Sequence, residues 1–258
     1  MLSGSEIALA GLAALAAGLI NSLAGGGTLI SFPALLVLGI PEVAANITNT
    51  VALCPGYLGG TIAQREDLKG QERRLWFLLP AGIIGGIAGG ILLLYISRDM
   101  FRIIVPFLIL LASLLLAVQD RIREWIKQHT QKNPNKEGIR NTVLPVSLAA
   151  VYGGYFGAGL SVIVLAVLGL FFDDTLTRLN ALKQCISLSS NMAAAVFFIF
   201  SGMVVWPLAA VMAVGALAGG AVGGRVAGRI NPELLRWTVV TIGLVVGGIL
   251  LVRLLMWA

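Results

Sequence analysis

The sequence predicts an all-α polytopic membrane protein with two inverted-topology repeats, built from about eight to ten hydrophobic helices, some of them short or broken. Of its 258 residues, 58% are hydrophobic and 12% are charged, whereas a soluble domain has about 25% charged residues. The mean hydropathy is +0.93. Because a spanning helix takes roughly 20 residues, this length leaves no room for a separate soluble domain.

The predicted helices are the hydrophobic runs bounded by charge, proline or glycine. They cover, in order, residues 6–23, 28–40, 44–63, 75–95 and 101–119, then 142–156, 159–172, 178–202, 205–224 and 235–257. Helices satisfy their own backbone hydrogen bonds in lipid, and the runs lack the alternation of apolar and polar residues that marks a barrel strand. Runs 28–40 and 159–172 are short, and their length is compatible either with a helix that spans the membrane or with one that re-enters it.

The two halves of the chain are related in sequence. Trp76 and Trp206 hold equivalent positions, as do Arg102 and Arg236. Similarity of composition alone is the alternative explanation, but tryptophan and arginine are rare enough here to favour duplication. We predict membrane repeat 1 at residues 1–120, a cytoplasmic linker at 121–140 and membrane repeat 2 at 141–258.

Charge predicts how the repeats are oriented. The loop before Trp76 carries four basic residues, whereas the equivalent loop before Trp206 carries none. Basic loops face the cytoplasm, so the two equivalent loops face opposite sides and the repeats are inverted. The N- and C-termini are then expected outside. Arg98 and Arg102 would also lie on the outer side, which opposes this arrangement.

The remaining composition excludes several functions. The net charge of +6 is explained by basic residues in cytoplasmic loops, so it does not indicate binding to nucleic acid. The expected partners are the lipid bilayer and a small-molecule anion. A homodimer is left open. His129 is the only histidine, and Cys54 and Cys185 are the only cysteines, which predicts no metal, no cofactor and no histidine-based enzyme.

Each half opens with a glycine-rich break between apolar helices. Glycines permit unwound backbone, and a helix that restarts after a break points free N–H groups at an anion. Close helix packing is the alternative role of such glycines. The candidate substrate-binding residues in the two breaks are Asn21, Gly25, Gly26, Gly27, Thr28, Gly157 and Gly159.

Polar stripes follow on the long helix after each break. One contains Asn46, Asn49 and Thr50, and the other contains Asn180, Lys183 and Gln184. Such stripes must face protein or water. Lys183 is the strongest candidate for binding substrate, because placing an ammonium inside a membrane costs several kcal/mol of free energy unless the group is paired or meets an anion. Alternatively it snorkels to the interface or pairs with Asp173 or Asp174, and the amides bond helix to helix.

The chain resembles the sulfite exporter TauE/SafE family over nearly its whole length. The resemblance is carried by AGLINSLAGGGTLISFPALL and GIPEVAANITNT in the first half and by YGGYFGAGL in the second. It implies a bacterial inner-membrane transporter of sulfite, sulfonates or related small organic anions. We therefore expect transport of a small anion by alternating access, with a membrane-embedded assembly or cofactor-delivery protein as the alternative.

Overall fold

The computed structural model describes residues 3–23, 25–129, 138–226 and 232–257, and all its regular elements are helices. The all-α prediction is confirmed. The described residues form eleven α-helices and one 3-10 turn (Arg65–Leu68): α1 Gly4–Leu23, α2 Thr28–Val37, α3 Glu42–Ala63, α4 Glu72–Tyr95, α5 Arg98–Ala117, α6 Gln119–His129, α7 Ile139–Tyr155, α8 Leu160–Phe171, α9 Leu176–Ile199, α10 Trp206–Val226 and α11 Pro232–Trp257.

Six of the described helices are long and apolar enough to cross a membrane, namely α1, α4, α5, α9, α10 and α11. The chain is therefore a multi-pass membrane protein. The short apolar runs are confirmed as short helices, since α2 has 10 residues and α8 has 12, fewer than the roughly 20 that span a bilayer.

Two helical hairpins are the distinctive elements of the fold. The chain reverses between α1 and α2 through Gly25 and Gly26, whose φ angles are 83° and 90°. It reverses between α7 and α8 through Gly157 and Gly159, with φ angles of 80° and 77°. Residues with a Cβ avoid these left-handed conformations, which explains the glycines at both tips.

Helices of one half pack mainly on helices of the other. Helix α1 runs parallel to α10, because Gly11 lies beside Val211 and Gly18 beside Ala216. Helix α7 packs in the same way on α4. The two halves thus exchange contacts reciprocally.

Two pairs of contacting helices, each with one helix from either half of the chain, run antiparallel. Along α3 and α9, Gly60 lies beside Gln184, and the later Gln64 binds the earlier Asn180. Along α5 and α11, Gly243 lies beside Ser113, and the later Gly247 beside the earlier Leu110. Helix α10 is parallel to α1 and α3, helix α4 is parallel to α7 and α9, and α3 is antiparallel to α9. The α1–α2 and α7–α8 hairpins therefore enter the protein from opposite ends.

Helix α6 was not among the predicted helices, because it lies at the start of the predicted linker 121–140. Its apolar residues Ile122, Trp125 and Ile126 pack against a buried cluster that includes Leu165 and Leu168 of α8. This amphipathic pattern is too short to stand out in a hydropathy profile. Residues 130–137 of the predicted linker lie outside the described part of the chain.

Neighbouring glycines on α10 provide a test of this packing. A Cβ at Gly219 would overlap the carbonyl group of Leu15 on α1, whereas a Cβ at Gly220 would meet only ordinary contacts, 3.6 Å from the Gly56 carbonyl oxygen. We expect Gly219→Ala to destabilise the protein by about 1–3 kcal/mol through overpacking. The matched Gly220→Ala change should be nearly neutral. Thermal unfolding in detergent measures both, and equal midpoints would contradict the α1–α10 packing.

Candidate functional site

The first hairpin tip is held by its own backbone and by Asn21. The Gly27 N–H donates to Asn21 Oδ1 at 2.8 Å, and the Gly25 N–H donates to the Ile20 carbonyl at 2.9 Å. Tyr57 of α3 lies beside the side chains of Asn21 and Thr28. Some of the polar groups that were predicted to bind substrate therefore form hydrogen bonds within the tip and stabilise it.

The second tip is held from the opposite half of the protein. Asn46 of α3 donates from Nδ2 to the Tyr155 carbonyl at 2.8 Å, a bond that satisfies the C-terminal end of α7. The Tyr152 hydroxyl donates to the Ala158 carbonyl at 2.6 Å. Asn191 of α9 lies beside Gly157. The Asn46 amide thus has a structural role that the sequence pattern alone does not assign.

The two tips meet inside the protein. A Cβ on Gly25 would lie 3.6 Å from the Ser161 Cβ at the start of α8. The rings of Phe32 and Phe156 pack edge to face with centroids 5.4 Å apart. The glycine-rich breaks of both halves are therefore in contact, as expected if they share one site.

Helix α5 lies against both tips. A Cβ added at Gly26 would clash with the Leu116 side chain at 2.7 Å, and one at Gly159 would lie 3.4 Å from the Ala112 Cα. A Cβ at Gly26 would require the Leu116 side chain to shift, whereas one at Gly159 would make an ordinary contact. The left-handed backbone is therefore the main reason for glycine at both positions.

Lys183 is buried, and within the described residues it has one hydrogen-bond partner. Its side chain belongs to a residue that is 7% exposed, and its Nζ donates to Asn180 Oδ1 at 2.7 Å. Asn180 donates in turn to Gln64 Oε1 at 3.0 Å. Within the described ranges Lys183 forms no ion pair with a carboxylate, and it does not reach the surface.

The alternative pairing of Lys183 with Asp173 or Asp174 does not occur among the described ion pairs, and other cations hold Asp174. Arg74 Nη1 lies 2.5 Å from Asp174 Oδ2, and Arg178 Nε lies 3.0 Å from Asp174 Oδ1. Burial raises the pKa of Asp174, but the hydrogen bonds from Arg74, the Thr175 amide and Arg178 outweigh it, and the pKa is lowered. Asp174 therefore stays ionised and joins the two halves.

Several buried polar atoms on α3 and α9 have no hydrogen-bond partner. They are Asn46 Oδ1, Asn49 Oδ1 and Ser187 Oγ. Each such atom costs about 1–3 kcal/mol when it stays unsatisfied, so orphaned atoms of this kind indicate contact with water or a ligand. Thr50 differs, because its hydroxyl donates to the Asn46 carbonyl of its own helix at 3.0 Å.

Eleven of the thirteen predicted site residues fall into two adjoining groups, and the other two, Asn49 and Thr50, lie on α3. The meeting tips bring together Asn21, Gly25, Gly26, Gly27, Thr28, Asn46, Gly157 and Gly159. The second group is Asn180, Lys183 and Gln184, with Gln64. Helix α3 connects them, since Tyr57 touches the first tip and Gly60, one turn later, lies beside Gln184.

Two residues of this region were missed by the sequence analysis. Gln64 follows Tyr57 and Thr61 at helical spacing, so the periodicity of polar residues in the sequence could have identified it. Ser161 follows the second glycine break directly, but nothing in its local sequence indicates that it meets Gly25. That contact depends on the packing of the two hairpins.

Comparison with known proteins gives one family and several relatives. A family model described as sulfite exporter TauE/SafE matches residues 10–250. "Probable membrane transporter protein YfcA" of Escherichia coli strain K12 is 25% identical over 240 residues, 92% of this chain and 87% of that protein. "Probable membrane transporter protein ORF9" of Sinorhizobium sp. is 29% identical over 215 residues, 80% of this chain and 77% of that protein. No solved structure matches.

Proposed function

The chain belongs to the sulfite exporter TauE/SafE family, and we propose that it carries a small anion across the inner membrane by alternating access. The anion is sulfite, a sulfonate or a related sulfur-containing or organic anion. The family is one of transporters and not of enzymes. The two hairpin tips and the polar faces of α3 and α9 enclose the proposed path.

The observation that carries this proposal is the burial of Lys183 without a carboxylate partner. A buried ammonium loses its hydration, and one neutral oxygen on Asn180 does not replace it. A bound anion supplies the missing charge in a setting of low dielectric, where the attraction is strong. The orphaned oxygens of Asn46 and Asn49 accept hydrogen bonds from water that accompanies the anion.

Alternating access is supported by the reciprocal packing of the halves. Inverted repeats are related by an axis in the membrane plane, so equivalent helices that touch must run antiparallel. Helices α3 and α9 do so, as do α5 and α11. Arg102, which opposed the predicted orientation, is paired with Glu42 at 3.4 Å, and this pairing reduces the positive charge at the proposed outer end.

Cysteine labelling tests the inverted topology. In a Cys54→Ala, Cys185→Ala background, we expect Lys69→Cys to react only from the cytoplasm and Met203→Cys only from outside. Both positions are open to reagent, because the Lys69 side chain is 74% exposed and Met203 lines a cavity of about 250 Å³. Reaction of both positions from the same side would contradict the inverted repeats.

Flux through reconstituted protein tests the transport function and the role of Lys183 together. Liposomes containing the wild-type protein should take up sulfite or methanesulfonate faster than empty liposomes. Lys183→Met should keep its fold and weaken anion affinity by about ten- to a hundredfold, the effect of a lost charge-assisted hydrogen bond. Lys183→Arg should recover part of it, because a planar guanidinium does not reproduce a compact charge.

Lys69→Met is the matched control, since it removes an exposed lysine and should leave affinity unchanged. Near-native affinity of Lys183→Met would remove this residue from the site. Absence of flux for a panel of small anions would favour the alternative, a membrane-embedded assembly or cofactor-delivery protein.

A further inference from the structure

A second cluster of cations lies around α6, which contacts both α9 and α11. Arg236 of α11 is 4% exposed, and its Nη1 pairs with Asp120 Oδ1 at the start of α6. Arg123 follows one turn later on α6, and its charge acts on both Asp120 and Arg236. Helix α6 also packs on α9, where Arg123 is the charged residue that acts on Lys183.

Two of the three cations of this cluster interact with one carboxylate, Asp120. They are Arg236 and Arg123, and the third cation, Lys183, interacts with Arg123. Asp120 is already engaged by Arg236, whose guanidinium also lies 5.8 Å from the centre of the Trp237 ring. An excess of positive charge at low dielectric attracts small anions.

Arg236 gives a second and independent indication of a ligand. Its side chain is 5% exposed, yet its Nε has no hydrogen-bond partner. Arginine has five N–H donors, and a buried one without an acceptor is costly. Arg123 forms no ion pair shorter than 4.0 Å in the described part of the chain, so its guanidinium is also available.

We propose that Arg123 and Arg236 form a second anion-binding site. This site lies on the route between Lys183 and the solution on the α6 face, and the transported oxyanion binds there as it enters or leaves. This inference rests on the proposed function, because it needs an anion that moves past Lys183. An oxyanion suits the two guanidiniums, which offer parallel N–H donors.

Sidedness of the kinetic effect distinguishes this role from a structural one. Transport is measured with radiolabelled sulfite and methanesulfonate in membrane vesicles of the two opposite orientations. Arg123→Gln should raise KM about ten- to a hundredfold for anion presented on the α6 face and leave KM unchanged for anion presented on the other face. Arg123→Lys should restore part of the affinity, since it keeps the positive charge but lacks the paired N–H donors of the guanidinium.

Arg121→Gln is the matched control, because Arg121 is an exposed arginine on the same helix. It should behave as the wild type from both faces. The Asp120→Asn, Arg236→Gln double variant removes the ion pair without leaving a lone buried charge, and it should show the same one-sided loss.

The outcomes separate this site from the proposed function. Wild-type transport combined with unchanged kinetics of Arg123→Gln from both faces would overturn the second site alone. An equal loss from both faces would also overturn it, because general damage to the fold is symmetric. No flux in the wild type would overturn the proposed function, and the second site with it.

Discussion

The constraint on which this fold depends is that two helical hairpins end inside the protein, where no bulk water satisfies their backbone groups. At one tip Asn21 accepts from the Gly27 amide. At the other tip, Asn46 of the opposite half donates to the Tyr155 carbonyl, and the Tyr152 hydroxyl donates to the Ala158 carbonyl. Each of these polar side chains bonds a backbone group at a hairpin tip inside the protein.

The position of Lys183 follows from that arrangement. Helix α3 packs on α9, and the polar residues Asn46, Asn49 and Gln184 of these helices are buried. Lys183 is then enclosed with Asn180 and Gln64, while Asp174 is engaged by Arg74 and Arg178 at the end of the helices. The same network that joins the halves therefore leaves Lys183 without a countercharge.

The helices were largely predictable because lipid imposes a strong length and composition rule. The short helices α2 and α8 and the glycines at positions 25 and 157 were visible in the sequence for the same reason. Helix α6 was not, since its apolar face is narrow and packs on protein. Within the site, periodicity identified Lys183 and Asn46, but the bond from Asn46 to Tyr155 spans 109 residues and depends on packing that periodicity does not contain.

The central claim is that two hairpins from opposite ends of the protein meet at their tips, and cross-linking of the tips measures this most directly. A Cβ placed on Gly25 would lie 3.6 Å from the Ser161 Cβ, within the range of a disulfide, although cysteine at Gly25 must adopt the left-handed backbone with φ 83°. In a Cys54→Ala, Cys185→Ala background, Gly25→Cys with Ser161→Cys should yield a peptide pair joined by a disulfide in mass spectra after mild oxidation. Gly25→Cys with Ser201→Cys should not. Two free thiols at positions 25 and 161 in the folded, oxidised protein would contradict the account.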